Sequence, residues 1–358
     1  MTDLTRMVTG GVDTHKDIHV VAAVDELGRT LGTESFPTTT AGYRRLLGWL
    51  GSFGSLELVG IEGTGAWGAG LARFLSARDV RVVEVHRPNR QHRRRYGKSD
   101  PADAIGAARA ALSGEANGAP KAANGAVEAI RLLQVARRSA MKARTQAANQ
   151  LHAVVTTAPE PLRASLTGLG TTDLVERAAR LRPGAITDPT AAAKLTLVTL
   201  ARRWLGLTAE IARLDGHLDE LTTTTASTLV ALNGVGTQTA SALLTAAGDN
   251  PDRLAREGSF AALCGSSPID ASSGRQQRHR LNRGGDRQAN AALYIIAISR
   301  LRWDPATKTY MQRRTAQGKT RKEVIRCLKR YIARQVHRAI LNDLTRPQHA
   351  ATPDLRAA

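Results

Sequence analysis

The most regular pattern in this 358-residue sequence is a run of apolar residues whose spacing alternates between three and four. Such spacing places every member on one stripe of an α-helix, and that stripe needs a partner helix. The pattern predicts a helix over about residues 190–221, and a second long helix is predicted over residues 127–157. Periodicity does not distinguish an intramolecular hairpin of these helices from a dimer-forming coiled coil. The run comprises Leu197, Leu200, Trp204, Leu207, Ile211, Leu214, Leu218 and Leu221.

The N-terminal third of the chain is built differently, from short β-branched runs. Two runs within residues 8–24 and a third at 30–36 predict a three-stranded antiparallel start. Further buried strands are predicted at residues 56–62 and 81–85. Because predicted helices alternate with these later strands, the region is expected to form an α/β layer structure. Those helices are predicted at 41–51, 66–77 and 101–112.

Composition narrows the class of partner. The 51 basic and 31 acidic residues leave a net charge of +20, which attracts polyanions such as nucleic acids. Aromatic residues make up only 4%, so base stacking is not expected to be the main binding device. Cys264 and Cys327 are too few for a four-thiolate zinc site or a disulfide framework. Without an export signal or a long apolar segment, the chain is expected to be cytoplasmic and nucleoid-associated, with no membrane partner.

Four carboxylates occupy positions that favour a shared site. Asp13 and Glu62 end β-branched runs, although Asp is depleted in strands. Asp100 and Asp103 lie three residues apart at a helix start, with Asp100 predicted as the N-cap and Pro101 as the first helical residue. Carboxylates gathered in one place repel one another unless cations lie between them, and Mg²⁺ prefers such oxygen ligands. Paired ions of this kind support phosphoryl transfer.

A competing interpretation concerns the glycines that follow Glu62. The segment 63–68, GTGAWG, follows a strand, opens a helix and has Glu84 about 20 residues further on, as in a dinucleotide-binding fingerprint. The preceding antiparallel strands do not fit the βαβ start of that fold. We expect these glycines instead to let the helix approach the sheet closely.

The C-terminal third contains two candidate phosphate-contacting features. Residues 229–249 place Gly234 and Gly236 between two apolar helical segments, which predicts a helix-hairpin-helix that contacts a nucleic-acid backbone. Further on, Ser272 and Ser273 precede a glycine and a series of arginines. On spacing alone a Ser-Ser-Gly sequence is usually a turn. The arginines, which could clamp a phosphodiester, are Arg275, Arg278, Arg280 and Arg283.

Other segments indicate boundaries and basic surfaces. Residues 114–125 are rich in glycine, alanine and asparagine and predict a linker or domain edge. Residues 87–98 are strongly basic, and further basic surfaces are expected on residues 131–144 and 313–329. Such groups give salt-dependent phosphate contacts without reading sequence. The candidate nucleic-acid-binding residues of the first segment are Arg93, Arg94, Arg95 and Lys98.

Three phrases resemble the DEDD motifs of one family of insertion-sequence transposases, which work with a bridge RNA and are related to the pilin-gene invertases. They are GVDTHKDIHVVAAVD, GIEGTGAWGAGLARFL and KSDPADA, of which the last is the most specific. The resemblance extends from about residue 11 to residue 341. It implies a ribonuclease-H-like (RuvC-like) fold in which Asp13, Glu62, Asp100 and Asp103 bind Mg²⁺.

The resemblance also covers the C-terminal region. In the family, a helix-hairpin-helix is followed by a glycine-proline loop and a Ser-Gly that carries the nucleophilic serine. Ser273, immediately before Gly274, matches that serine, and Ser272 is the alternative. The chain departs from the family at Ser267, where a larger apolar residue is common, and at Asn290, where some members carry arginine.

The resemblance implies a DNA transposase, or recombinase, in three parts. Ser273 would attack a scissile phosphate to form a phosphoserine adduct with donor and target DNA, and a structured guide RNA would read sequence. The family favours a composite site in a homodimer or higher oligomer. The expected parts are a RuvC-like domain (1–117), a coiled-coil region (118–225), a transposase domain (226–345) and a flexible tail (346–358).

Two alternatives of other classes remain at this stage. A metal-dependent, RuvC-like nuclease without a covalent intermediate would need the four carboxylates but not Ser273. A non-catalytic nucleic-acid-binding protein would need neither set. Substitution of Ser273 or Asp13 therefore separates the three functions.

Overall fold

The computed structural model describes residues 6–85, 99–275 and 279–345. They fall into two compact units, one from residues up to 125 with 247–260, the other from 126–246 with residues from 261 onward. The first is mixed α/β and the second is mostly helical. The three-part division remains a proposal. No helix within the described ranges is long and apolar enough to span a membrane.

The first unit contains a five-stranded mixed sheet with the order β3-β2-β1-β4-β5. The first three strands form the expected antiparallel meander, whereas β4 runs parallel to both β1 and β5. A β1 strand at the centre of the sheet places its C-terminal end beside that of β4. The strands are β1 (Met7–Thr14), β2 (Ile18–Val24), β3 (Thr30–Pro37), β4 (Ser55–Glu62) and β5 (Arg81–Val85).

Helices cover both faces of this sheet. On one face α1 (Thr40–Gly51) and α2 (Ala69–Ser76) bury Leu46, Leu50 and Leu71 with inward valines of the strands. On the other face α3 (Asp100–Leu112) packs Ala104 against residues of β2. Alternate residues of β1 and β4 therefore face α1 and α2 on one side of the sheet and α3 on the other.

The segment predicted as a linker is fixed to the first unit. Gly118 forms a backbone bridge with Glu84, and the Asn250 side chain hydrogen-bonds to the backbone of Pro120 and Ala122. Arg253, in a 3₁₀ turn, donates through Nε to the Ala119 carbonyl 3.0 Å away. Residues 114–125 therefore lie at the edge of the first unit. They are held there by Asn250 and Arg253, which belong to the segment 247–260 of the same unit.

The second unit contains the two predicted long helices, α4 (Ala126–Thr157) and α7 (Pro189–Thr225). They pack together as an intramolecular hairpin, the first of the two arrangements that the heptad run allowed. Leu197 and Leu200 are buried in a core shared with the end of α4 and with two short helices, α5 (Leu162–Leu166) and α6 (Thr171–Ala179). Arg137 on α4 forms an ion pair with Asp215 on α7.

The remaining helices follow in short succession, and a two-stranded ribbon lies among them. The ribbon pairs Ile269 and Asp270 with Arg280 and His279. The buried Asp343 side chain accepts hydrogen bonds from the first turn of α8, at Thr228 and Leu229. The helices are α8 (Ser227–Val230), α9 (Thr237–Ala247), α10 (Glu257–Leu263), α11 (Arg287–Trp303), α12 (Pro305–Ala316) and α13 (Arg321–Thr345), and the strands are β6 (Ile269–Asp270) and β7 (His279–Arg280).

Candidate active site

A pair of glycines determines where α3 lies on the sheet. Gly11 of β1 and Gly60 of β4 are register partners on adjacent strands. A Cβ atom on Gly11 would lie 2.2 Å from the Ala104 carbonyl oxygen, and one on Gly60 would lie 2.6 Å from the Ala107 carbonyl oxygen. Any side chain at either position would therefore overlap the helix backbone. This direct contact holds the N-terminus of α3 beside the ends of the two strands.

The strand carboxylates lie on the same side as these glycines. Successive strand residues point to opposite faces, so Asp13 and Glu62, each two residues beyond a glycine, face the α3 layer. Thr14 Oγ1 donates to the Glu62 carbonyl oxygen at 2.8 Å and ties the two strand ends together. Asp13 is buried and Glu62 is half-buried.

His15, which the sequence analysis did not single out, completes a cluster with two of the predicted carboxylates. Its Nε2 atom lies 3.3 Å from Asp13 Oδ2 and 3.3 Å from Asp100 Oδ2. One potential ligand atom from each of the three residues lies within 4.8 Å of the others. His15 Nε2 is buried, and it has no aligned hydrogen-bond partner among the described residues. Its position two residues after Asp13, within the phrase DTHKD, was the available signal.

The other three predicted acids all act on the pKa of Asp13. Burial raises the pKa of Asp13, and His15 opposes that rise. The negative charges of Glu62, Asp103 and Asp100 each raise the same pKa further. Four carboxylates that interact while one is buried favour a bound cation, and oxygen donors with one imidazole suit a divalent ion. The residues present therefore fit the divalent metal that the resemblance implies.

The start of α3 corrects one detail of the sequence analysis. The N-cap is Ser99, whose side chain accepts from the Ala102 amide at 3.4 Å, and Asp100 is the first helical residue. The Ser-Asp-Pro order explains the shift, because serine caps as well as aspartate does. Asp100 is thereby released from capping, and its side chain remains 49% exposed beside His15.

The serine loop lies in the second unit. The Ser272 hydroxyl donates to Asp270, and the Ser272 amide donates to the same carboxylate at 2.8 Å. The Ser273 side chain is exposed, and Gly274 follows with φ of +56°. The two serines are therefore distinguished by their surroundings, because only the Ser272 hydroxyl is engaged by Asp270.

Asn290 and Lys329 support the glycine-proline part of this loop. Asn290 Nδ2 donates to the carbonyl oxygens of Cys264 and Gly265, at 2.7 and 3.2 Å. Asn290 Oδ1 accepts from Lys329 Nζ. The asparagine that departs from the family pattern thus packs directly against the loop and fixes its start.

The predicted helix-hairpin-helix region is a short helix, a glycine turn and a second helix. Gly234 has φ of +75°, and the turn packs on α11, where the Asn233 carbonyl accepts from Arg300 Nε at 2.7 Å. A Cβ atom on Gly236 would meet no described atom within 4 Å, but the Gly236 amide donates to Thr239 Oγ1. Phosphate contact by this turn remains a prediction.

The predicted arginines separate into two groups. Arg275, Arg280 and Arg283 are exposed in the serine loop, and Arg280 pairs with Ile269 across the ribbon. The remaining predicted nucleic-acid contacts lie outside the described residues. These are Arg93, Arg94, Arg95, Lys98 and Arg278.

Comparison with known families agrees with this arrangement. Residues 10–158 match the profile of the IS110-type DEDD transposases, and residues 226–312 match that of the IS116/IS110/IS902 transposase family. The chain belongs to the IS110 family of transposases. The first IS110 match contains the four predicted carboxylates and the second contains both candidate serines.

A curated relative supports the IS110 assignment over a shorter range. An uncharacterized 43.6 kDa protein of insertion element IS110 from Streptomyces coelicolor is 33% identical over 142 residues. The match covers 39% of this chain and 33% of the relative. This IS110-family chain therefore aligns with about a third of that relative's length.

Proposed function

We propose that this chain is a DNA transposase that cuts and rejoins DNA through Ser273, with Mg²⁺ held by Asp13, Glu62, Asp100 and Asp103. One observation carries the proposal: Asp13 and Asp100, two of the four acids that match the family's DEDD positions, converge on His15. The charges of Glu62 and Asp103 also raise the pKa of Asp13. His15 would add a nitrogen ligand beside Asp13 and Asp100. The strand order β3-β2-β1-β4-β5 supports a ribonuclease-H-like, RuvC-like fold for the first unit.

Ser273 is the proposed nucleophile. As its Oγ–P bond forms, the bond from phosphorus to the leaving nucleoside oxygen breaks; the serine proton passes to a base and the leaving oxygen takes up a proton. Exposure of Ser273 supports this role, whereas the Ser272 hydroxyl is engaged by Asp270. The neighbouring Arg275 and Arg283 would stabilise the phosphate charge. When bound, Mg²⁺ would supply charge stabilisation for the reacting oxygens.

The partners in this proposal are donor DNA, target DNA and a structured guide RNA, encountered in the cytoplasm at the nucleoid. The net charge of +20 supports contact with long polyanions. Base pairing by the RNA would supply the sequence reading that backbone contacts cannot. A homodimer or higher oligomer is also part of the proposal.

Adduct formation tests the serine mechanism. The full chain is incubated with Mg²⁺, the element's DNA ends and its flanking RNA, and SDS-resistant protein–DNA adducts are counted. We expect an adduct that Ser273→Ala abolishes, Ser272→Ala retains and Asp13→Asn strongly reduces. Cleavage without any adduct would favour the nuclease alternative, since that mechanism needs the four carboxylates but not Ser273. Unchanged DNA in every reaction would favour a non-catalytic binder.

A further inference from the structure

A basic cavity lies beside the serine loop, entirely within the second unit. Its volume is about 1030 Å³, at the upper end of the roughly 300–1,000 Å³ typical of ligand sites. Helices α12 and α13, the ribbon strand β7 and the glycine-proline loop form its walls. Eight lysine and arginine residues line it, and Glu323 is the only acid among its described lining residues. We call it the Tyr331 cavity.

Helical spacing creates this concentration of charge. Arg326, Arg330 and Arg334 recur every four residues along one face of α13, and Tyr331 lies on the same face. Burial lowers the pKa of Arg330, and the charge of Arg334 lowers it further. The fold thus holds like charges together against their repulsion. Bound phosphate groups would relieve that repulsion.

One arginine in the cavity wall has a hydrogen-bond donor that lacks an acceptor among the described residues. Arg314 on α12 donates through Nη1 to Gln317, 2.7 Å away. Its Nε is buried and has no acceptor among the described residues. A buried guanidinium donor without an acceptor is costly. An anion in the cavity would satisfy this Nε only if the Arg314 side chain turned toward the cavity.

Two tyrosine rings in the cavity indicate which kind of polyanion it would bind. Tyr310 and Tyr331 meet edge to face, with ring centroids 5.7 Å apart, and both line the cavity. Tyr331 remains 51% exposed, and the Arg334 guanidinium carbon lies 5.8 Å from its ring centre. An exposed ring among cations is the arrangement on which unpaired bases stack. Bases in a duplex stack on one another and have no free face for Tyr331.

We propose that the Tyr331 cavity binds an unpaired DNA segment next to the phosphate that Ser273 attacks. This proposal rests on the proposed function, because the DNA is the strand joined to that phosphate. Ser266, Ser267 and Ala271 belong to the loop that carries Ser273, and they form part of the cavity wall. Ala271, in the cavity wall, lies two residues before Ser273 in the same loop, so a strand bound in the cavity would lie near that serine. The scarcity of aromatic residues in the sequence concealed this site, since it uses only two tyrosines.

Binding measurements test the cavity separately from catalysis. The full-length Ser273→Ala protein is titrated, without divalent ions, into a labelled single-stranded DNA of about 12 nucleotides, within the roughly 4–16 nucleotide range of single-strand sites. Tyr331→Ala should weaken binding by about 5-fold to 150-fold, the equivalent of about 1–3 kcal/mol per stacked base. Tyr331→Phe should bind nearly as well as the parent, because phenylalanine keeps the ring.

A second pair of variants tests whether the positive charge of the cavity itself contributes to binding. Arg326→Ala removes a cation from the cavity, whereas Arg203→Ala removes an exposed cation from α7. We expect a clearly larger loss of single-strand affinity for Arg326→Ala. Equal losses, or full affinity in Tyr331→Ala, would overturn the proposal. So would a loss confined to single-stranded RNA of the same sequence, which would assign the cavity to RNA.

Thiol labelling locates the bound strand. The chain has two cysteines; Cys264 is buried with its pKa raised to about 12, whereas Cys327 lines the cavity and is partly exposed. A maleimide should therefore modify Cys327 alone, and single-stranded DNA should slow that modification. DNA that binds without protecting Cys327 would contradict the proposal. Because no adduct is needed, a failed serine mechanism would leave both measurements interpretable.

Discussion

Asp13 is the residue on which the proposed metal site depends most. Its carboxylate is buried and surrounded by the negative charges of Glu62, Asp100 and Asp103, which a divalent ion would offset. Asp13→Asn should therefore raise the melting temperature without metal and abolish the increase that Mg²⁺ or Mn²⁺ gives the wild type. Thermal denaturation with and without each ion measures both effects.

Asp17 provides the matched control. It is exposed on the turn after β1, so Asp17→Asn removes the same charge nearby and should retain the metal-induced stabilisation. A metal response in Asp13→Asn equal to that of the wild type would remove Asp13 from the metal site.

His19, beside this site, should make stability depend on pH. The ring is buried, neither nitrogen has a hydrogen-bond partner among the described residues, and it stacks on Tyr43 with centroids 5.8 Å apart. Burial, and secondarily His15, lowers its pKa to about 4. The unfolded chain takes up this proton below about pH 6.5 and the folded chain does not, so the free energy of unfolding falls as pH drops from about 6.5 to 4.

His19→Phe isolates this contribution. Phenylalanine keeps the contact with Tyr43 and removes both unpaired nitrogens and the titration. The loss of stability between pH 7 and pH 5 should therefore be smaller in His19→Phe than in the wild type, by on the order of 1–2 kcal/mol. Identical pH profiles in urea denaturation would show that His19 takes up its proton equally in both states.

At the scale of elements, the contact between α3 and the sheet positions the acids. Gly11→Ala would place a methyl group 2.2 Å from the α3 backbone, which must shift. We expect a loss of about 1–3 kcal/mol in stability and weaker metal binding, because Asp100 and Asp103 move with the helix.

Gly48→Ala in α1 is the control, since its Cβ would meet no described atom within 4 Å. That change should be neutral or stabilising by up to about 1 kcal/mol. Equal stability of the two variants would disprove the close contact.

The helices and strands also show which parts of the fold could be predicted from sequence patterns. The bounds of β4, α1 and α3 were predicted to within a residue, because hydrophobic alternation and capping signals are local. Helix α2 begins at Ala69 and not at residue 66, since the turn that starts at Gly63, with φ of +69°, occupies the intervening residues. Helix α12 was missed because only Thr307 is buried on it and no apolar stripe exists.

The candidate active site could also be predicted only in part, because only some of its signals are local in the sequence. Strand ends and a helix start predicted which acids would converge, and the structure brings Asp13 and Asp100 to one cluster. His15 was missed because a lone histidine after a strand has no periodic signature. The Tyr331 cavity combines two consecutive helices with a loop and a ribbon strand from earlier in the chain, so no single local pattern could reveal it.

At the scale of the whole molecule, the charge of +20 makes nucleic-acid affinity salt-dependent. Each phosphate neutralised releases condensed counterions, so we expect duplex affinity to fall by about 10³-fold or more between 50 and 200 mM salt. The slope should be similar for unrelated duplexes, because backbone contacts do not read sequence. Anisotropy titrations at several salt concentrations measure it. A flat salt dependence would show that the cations do not contact DNA phosphates.

The most direct test of the covalent mechanism is to locate the DNA attachment site on the protein. The adduct formed with Mg²⁺, DNA ends and RNA is digested with a protease and a nuclease, and the peptides are fragmented by mass spectrometry. Our proposal predicts a nucleotide remnant on the side chain of Ser273. A remnant on Ser272 or on any other residue, or cleaved DNA without a modified peptide, would contradict it.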